Sequence, residues 1–585
     1  MKAHQSRRWI VSCSPTCVAI LSSFVWITLY GSLLAELTVW VETATRRLCR
    51  EDLPPQRPAR HIEVAAARND WVGFQVFMRS SQPVPQIELV ITAPTGPQDA
   101  TITPSNFRVY REHQIHIVNG THRNEAFRPG WYPDPLIPSR DPVKDVPLRG
   151  KYQAFPFDLP ADETHGFYVD LFIPPGTPPG KYAGKVTVRG GGINQVDIPL
   201  TIEVWDFTLP STPALVTAFG SPSQRMRSYY AKRARSGKES PPENWEEVDR
   251  QCAALVSEHR MNAYPPSEWL ALQRNDKGYQ LPDESIAQLR EWIDRYHVNA
   301  VQIPSPVGRV KDPAESPEDL RAWLAAWDKA ITEIARPHVI FYIYLKDEPN
   351  DPEAYEFVRH WGKPIRAAQT KVKVLVVEQT LTQDPAWGDL YGAVDIWCSL
   401  FPLYDEATAK QRQALGEIMW AYTALCQGKR KSPWWHIDYP LLHYRVPSWI
   451  SWRFGITGLL YWGGMSYWDQ VEDPWTDANT YRPGPADRPL TFNGEGTLVY
   501  PARPCGYEGI VPSLRLKALR DSIEDYEYLE ILRRAGKADL AQRLVLSLTP
   551  SWFEWSETPE DYEEARRKLA ELILTLPPET RNATR

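Results

Sequence analysis

The sequence has no CxxC pair and no HExxH or HxH spacing, so neither its cysteines nor its histidines are arranged as a metal site on one element. Beyond the N-terminal apolar stretch five cysteines remain, Cys49, Cys252, Cys398, Cys426 and Cys505, an odd number that supports neither a disulfide scaffold nor a zinc site. His436 and His443 stand seven apart and read as partly buried, hydrogen-bonded side chains. A basic block is also missing. Lys plus Arg total 66 against 72 Asp plus Glu, a net charge of -6, which argues against a nucleic-acid surface. No metal or organic cofactor is expected.

At 585 residues the chain exceeds one ordinary core, and two or three domains are expected. Its 54 prolines and 24 tryptophans suit ordered loops and aromatic surfaces rather than disorder. Trp-rich clefts stack against sugar rings, although most tryptophans pack in cores. Lys2, Arg7 and Arg8 precede an uncharged, largely apolar stretch from Val18 to Leu34. Residues 1–36 therefore read as a signal peptide or signal anchor. Leu33-Leu34-Ala35 is a poor cleavage site, so a membrane tether stays open beside cleavage. Either way the protein is expected to be exported: secreted, periplasmic or anchored at the cell surface.

From Leu37 to about Pro210 the pattern is β. Phe167, Val169, Leu171 and Ile173 alternate with other residues, as do Val196, Ile198, Leu200, Ile202 and Val204. Each such strand is expected to have one buried and one wet face, and the region is expected to form an antiparallel β-sandwich over 37–212. Strands then alternate with amphipathic helices. Ser316 to Asp319 reads as a cap before Leu320, Trp323, Leu324, Trp327, Ile331 and Ile334 on one helical face, and Ile286, Leu289 and Ile293 mark an earlier helix. Buried strands are predicted at 215–219, 262–264, 300–303, 339–345, 374–377, 395–400, 418–423 and 459–462. Eight strands in this alternation make a closed (β/α)8 TIM-type barrel, here 213–512. Residues 513–585 read as a helical C-terminal cap, with Leu516, Leu519, Ile523, Tyr526 and Leu529 as its stripe. The fold class is thus multidomain, all-β followed by α/β.

The fourth predicted strand runs Val339 to Leu345 without polar alternation and is followed by Asp347 and Glu348. Carboxyl ends of barrel strands carry the chemistry, which makes this acid pair the catalytic candidate. The bland alternative is a helix cap, and it accounts for Asp351 and Glu353 around Pro352 but not for the pair several residues earlier. Glycoside hydrolysis needs a proton donor and a group that traps or stabilises the developing cation. Glu417 falls at the amino end of its strand, the wrong mouth. Glu378 and Asp438 are candidate second carboxylates, neither at the expected place. A substrate with a 2-acetamido group supplies its own nucleophile and asks instead for two neighbouring acids. Trp397, Trp420, Tyr422, Asp438 and Trp462 are the substrate-binding candidates, each near a strand end or loop at that mouth, with barrel packing as the alternative for Trp397 and Trp420.

Several stretches in order resemble glycoside hydrolase family 123, the β-N-acetylgalactosaminidases and related barrels. They are Ala67 to Asp70 with Phe74-Gln75, Trp131 to Leu136, Lys346-Asp347-Glu348-Pro349, Gly458 to Gly463, and Leu519 to Leu529. The resemblance implies a β-sandwich followed by a barrel, and retaining hydrolysis through an oxazoline. It also implies Glu348 as general acid/base and Asp347 as the group that orients the acetamido nitrogen. The implied partner is a glycan or glycoconjugate ending in N-acetylhexosamine. The late Arg-Asp-Ser-Ile-Glu-Asp-Tyr-Glu-Tyr run reads as a buried, structural charged helix. Two rivals remain: a two-carboxylate barrel glycosidase on a sugar without an acetamido group, and a non-catalytic carbohydrate-binding surface protein.

Overall fold

Apolar alternation builds the first half of the structure. A computed structural model describes residues 36–276, 278–425, 432–485 and 487–582. The expected export segment and Cys426 lie outside the described residues. Among those described, no helix is long and apolar enough to cross a membrane. Strands β1 (Leu37–Thr43), β2 (Ile62–Arg68), β3 (Asp70–Ser80), β4 (Val84–Thr95), β5 (Phe107–Ile117), β6 (Gly130–Pro138), β7 (Phe157–Leu159), β8 (His165–Ile173), β9 (Gly180–Arg189) and β10 (Val196–Thr208) come first. They form two five-stranded sheets, ordered β1-β3-β8-β5-β6 and β2-β10-β9-β4-β7. All neighbours are antiparallel except β2 and β10, which run parallel. Phe74, Val76, Phe167, Val169 and Leu171 of one sheet share a core with Val186, Val188, Ile198, Leu200 and Ile202 of the other.

The expectation of one wet face fails for β8. Tyr168 and Asp170, on the face away from that shared core, are also buried, because the helix Leu514–Arg534 covers them. That helix is buried all round from Leu514 to Leu532, rather than along the one stripe expected of a cap. Several of its charges meet counter-charges on different sides. Asp134 meets Arg515 at 2.9 Å, and Asp170 meets both Lys517 and Arg520 at 2.7 Å. Asp525 meets Arg445 at 2.8 Å and Arg566 at 2.5 Å. Burial pushes the Asp170 carboxyl up, but Arg520 and Lys517 overcome it and hold the group well below the usual carboxylate range. A buried charge unpaired in this way would be costly, so the helix acts as a keyed joint between the N-terminal sheets and the rest of the chain.

After β11 (Val216–Ala218) and a short hairpin of β12 (Gln273–Asn275) and β13 (Gly278–Gln280), the parallel strands follow. They are β14 (Ala300–Ile303), β15 (Ile340–Asp347), β16 (Lys373–Val377), β17 (Ile396–Leu400), β18 (Ile418–Tyr422) and β19 (Ile456–Leu460). With β11 they make a seven-stranded, nearly closed barrel in the order β11-β19-β18-β17-β16-β15-β14. The eighth strand expected at 262–264 does not form. Pro265 and Pro266 follow at once and have no N–H to give a ladder. The side chain of Asn262 spans the gap instead. Its backbone N–H donates to Thr217 Oγ1 at 2.8 Å, its Nδ2 to Thr217 O at 3.2 Å, and its Oδ1 accepts from the Asn299 N–H at 2.9 Å. Helices Asp283–Tyr296 and Pro317–Ile334 bury the predicted faces, with Ile331 only partly covered.

Candidate active site

Strand β15 carries the acid pair into the barrel mouth through a bulge. Tyr344 pairs with Leu375 and Lys346 with Val376, so Leu345 is an extra residue in the ladder. Before it, Tyr342 and Tyr344 belong to the barrel interior; Leu345 packs with the outer core. The bulge resets the alternation. Lys346 lies outward, 5.5 Å from the Phe357 ring, and Asp347 returns to the mouth beside Tyr344, whose hydroxyl donates to Asp347 Oδ1 at 2.7 Å. Burial and the neighbouring Asp347 hold the Tyr344 phenol well above its ordinary pKa, which keeps it a donor. Glu348 then turns with φ of 36°, a left-handed conformation that is unfavourable for a residue with a Cβ. Asp351 caps the following helix, accepting from the Ala354 N–H at 2.7 Å, as the capping alternative requires.

The ends of two other strands complete the surroundings of Glu348. Tyr422, at the end of β18, donates its hydroxyl to Glu348 Oε1 at 2.5 Å. Glu378, directly after β16, is buried, and its two oxygens accept from the Gln379 N–H at 3.0 Å and from Gln383 Nε2 at 2.8 Å. Burial pushes its pKa up to about 7, against those two hydrogen bonds, and the Glu348 charge adds to the rise. Gln383 Nε2 also reaches Pro349 O at 3.2 Å and Asn350 Oδ1 at 3.0 Å, so it brackets the turn that carries Glu348.

A cavity of about 580 Å³ opens at this mouth, with Gln302, Tyr344, Asp347 and Trp462 in its wall. Trp462 donates its indole N–H to the buried Glu495, whose other oxygen lies 2.7 Å from His436 Nε2. The Gly458 to Gly463 run serves this wall. A Cβ on Gly458 would come within 2.5 Å of the Trp420 ring, and Gly463, at φ of +84°, lies against Gly496.

The structure thus brings Asp347, Glu348, Tyr422 and Trp462 to one mouth and corrects three placements. Trp397 is on the outer face of β17, with its indole N–H bonded to Glu417 at 2.7 Å, because Ile396 and Cys398 take the interior. Trp420 is fully buried inside the barrel, edge-on to Tyr342 at 5.2 Å, a packing residue below Tyr422. Asp438 meets no open cavity wall of this site: its oxygens accept from the Thr121 N–H at 2.7 Å, Thr121 Oγ1 at 2.6 Å and Asn124 Nδ2 at 3.1 Å. It pins the barrel to the loop after β5. Glu417 is tied to Arg412 at 2.6 Å and Arg366 at 3.1 Å, away from the mouth as expected. Among the described residues no group of three or more His, Cys, Asp or Glu side chains is placed to hold a metal ion.

Tyr344, Gln383 and Glu495 went unnoticed in the sequence. Tyr344 is three residues from Asp347, the opposite face of a regular strand, and only the bulge unites them. Glu495 sits between Gly494 and Gly496, both at positive φ, and that spacing was a usable turn signal.

The sequence matches the family Glycoside hydrolase 123, catalytic domain, over residues 315–532, and the Glycoside hydrolase 123 N-terminal domain over residues 40–190. The chain belongs to glycoside hydrolase family 123. No curated protein matches it. A solved family 123 glycoside hydrolase from Clostridium perfringens, described for glycolipid glycan hydrolysis, is 13% identical with a TM-score of 0.61, over 92% of this chain and 96% of that one. A family 5 xyloglucanase from Bacteroides ovatus is 8% identical with a TM-score of 0.27, over 83% and 100%. A family 39 glycoside hydrolase from Bacteroides cellulosilyticus WH2 is 10% identical with a TM-score of 0.29, over 74% and 80%. Of these three, the first shares the fold at a level that supports comparison. In this family 123 chain the recognisable stretches divide by role. Lys346 to Pro349 and Gly458 to Gly463 build the mouth, whereas Asp70, Asp134 and Leu519 to Leu529 lock the buried helix.

Proposed function

We propose that the protein is an exo-acting glycosidase that releases β-linked N-acetylgalactosamine, or another N-acetylhexosamine, by substrate-assisted catalysis with retention. Glu348 protonates the leaving oxygen while the substrate's acetamido carbonyl oxygen attacks the anomeric carbon. The bond to the leaving group breaks and an oxazoline forms. Asp347, held by Tyr344, orients the acetamido N–H and balances its developing positive charge. Glu348 then takes a proton from the water that opens the ring on the same face.

The observation that carries this reading is the fate of the other carboxylates. A two-carboxylate mechanism needs a free, ionised second acid. Glu378 is buried, engaged at both oxygens and raised to about 7, and Asp438 is bound by Thr121 and Asn124. Asp347 is exposed at the cavity and Glu348 half-buried beside it. Glycolipid glycans, the material of the Clostridium perfringens relative, are the first natural substrates to try. Export of the enzyme, from its N-terminal charge and hydropathy pattern, fits such a substrate.

The test is hydrolysis of aryl β-N-acetylgalactosaminide, β-N-acetylglucosaminide and β-galactoside by the parent, Asp347→Asn and Glu348→Gln. Activity should be confined to acetamido sugars, and each variant should lose about 100-fold or more on substrates with poor leaving groups. Turnover of the plain galactoside would place the second carboxylate elsewhere. Silence on all three, with binding, would favour the non-catalytic rival.

A further inference from the structure

The cavity holding Asp347 carries more positive charge than a neutral sugar requires. Arg225, in the first turn of the helix Pro222–Arg235, and Arg309, in the turn after β14, both line it, and among the described residues Asp347 is the one carboxylate in its wall. Arg225 is half-buried and Arg309 exposed. Among the described residues neither Arg225 nor Arg309 forms an ion pair.

Both side chains are nevertheless held. The Arg225 guanidinium stands 5.2 Å from the Tyr467 ring centre, part of an aromatic ledge in which Tyr467 lies 4.9 Å and Tyr481 5.1 Å from Trp462. Its stem packs against Gly464, where an added Cβ would come 3.0 Å from Arg225 Cγ. The exposed Arg309 is tethered through Nη1, which donates to Ser305 O at 3.0 Å, and its remaining donors are unspent. A guanidinium offers five N–H groups in a planar fork that matches two oxygens of a carboxylate or sulfate. Two such forks, in the wall of the cavity that Asp347 also lines, can receive an anion.

We propose that Arg225 and Arg309 form an anion-recognising subsite, and that the enzyme prefers β-N-acetylhexosaminides carrying an anionic oxygen group in this cavity. The group is a sulfate ester on the sugar or the carboxylate of an adjoining acidic sugar. The inference rests on the glycosidase reading above and adds the charge of the substrate to it.

The experiment compares kcat/KM of the full chain on matched pairs. One arm uses aryl β-N-acetylgalactosaminide against its 4-sulfate and 6-sulfate. The other uses N-acetylgalactosamine β-linked to glucuronic acid against the same linkage to glucose. The anionic member of at least one pair should be preferred by about tenfold or more. The preference should shrink when salt is raised from about 20 to about 200 mM, since the Debye length shortens. It should fall towards one in Arg225→Gln and in Arg309→Gln. Preference in the first arm assigns a sulfate ester, and in the second a uronate. A preference near one in both arms, or one that the variants leave intact, overturns the subsite while the glycosidase reading stands. If no substrate is turned over, that reading fails instead. The subsite is then judged by calorimetric titration with N-acetylgalactosamine and its sulfates, where equal affinities overturn it.

Discussion

Replacing Glu378 with Gln separates a buried neutral acid from a second catalytic carboxylate. Burial raises the Glu378 pKa from 4.5 to about 7. Between those values the unfolded chain has lost the proton and the folded protein keeps it. Stability therefore falls as pH rises, by about 1.4 kcal/mol per unit. Over the whole interval the folded protein loses about 3 kcal/mol, an upper value because the site relaxes. Gln does not titrate; its amide oxygen accepts from only one of the two donors, Gln379 N–H or Gln383 Nε2, and its NH2 faces the other, a cost that does not vary with pH. The variant should thus match the parent within a constant offset near pH 4.5 and gain on it up to about pH 8, by about 2 to 3 kcal/mol. Urea unfolding of both proteins at pH 4.5, 6, 7 and 8 measures the difference. Parallel stability curves across that range would refute the assignment of Glu378 as a protonated, non-nucleophilic acid.

Further outcomes follow from the same geometry. Tyr422→Phe removes the hydroxyl that fixes Glu348 Oε1 and should lower kcat by about tenfold or more with a smaller effect on KM, seen in steady-state kinetics. Gln383→Ala releases the bracket on Pro349 and Asn350, and because the φ of 36° at Glu348 stores about 1 to 3 kcal/mol of strain, the turn should relax and kcat fall while substrate affinity changes less. Asp170→Asn leaves Lys517 and Arg520 buried without their counter-charge and should cost about 3 to 5 kcal/mol in chemical denaturation.

The elements that sequence reading found are those whose signal is local. The unbroken apolar run before Asp347 marks a strand buried on both faces, and the acids at its end fall at the barrel mouth. The Leu519 to Leu529 run reads as a buried structural helix despite its density of acids, and it is one. What stayed hidden depends on partners distant in the chain. Nothing near Asn262 announces that its amide, rather than a strand, spans the barrel between Thr217 and Asn299. The bulge at Leu345 decides which of Tyr344, Lys346 and Asp347 face the cavity, and it is set by the register of β16. Asp438 looked available for a sugar because its partners, Thr121 and Asn124, lie more than 300 residues earlier. Trp397 was legible and misplaced. The period of two that sends Ile396 and Cys398 inward sends the residue between them out.

Substrate assistance is the central claim, and it rests on the acetamido oxygen as nucleophile. The most direct measurement is kcat/KM on aryl β-N-acetylgalactosaminides whose acetyl group carries zero, one, two and three fluorines. Each fluorine draws electrons from that oxygen, so the account predicts a steep, progressive loss of rate. A rate indifferent to fluorination would mean that a protein carboxylate attacks the anomeric carbon, and would contradict it.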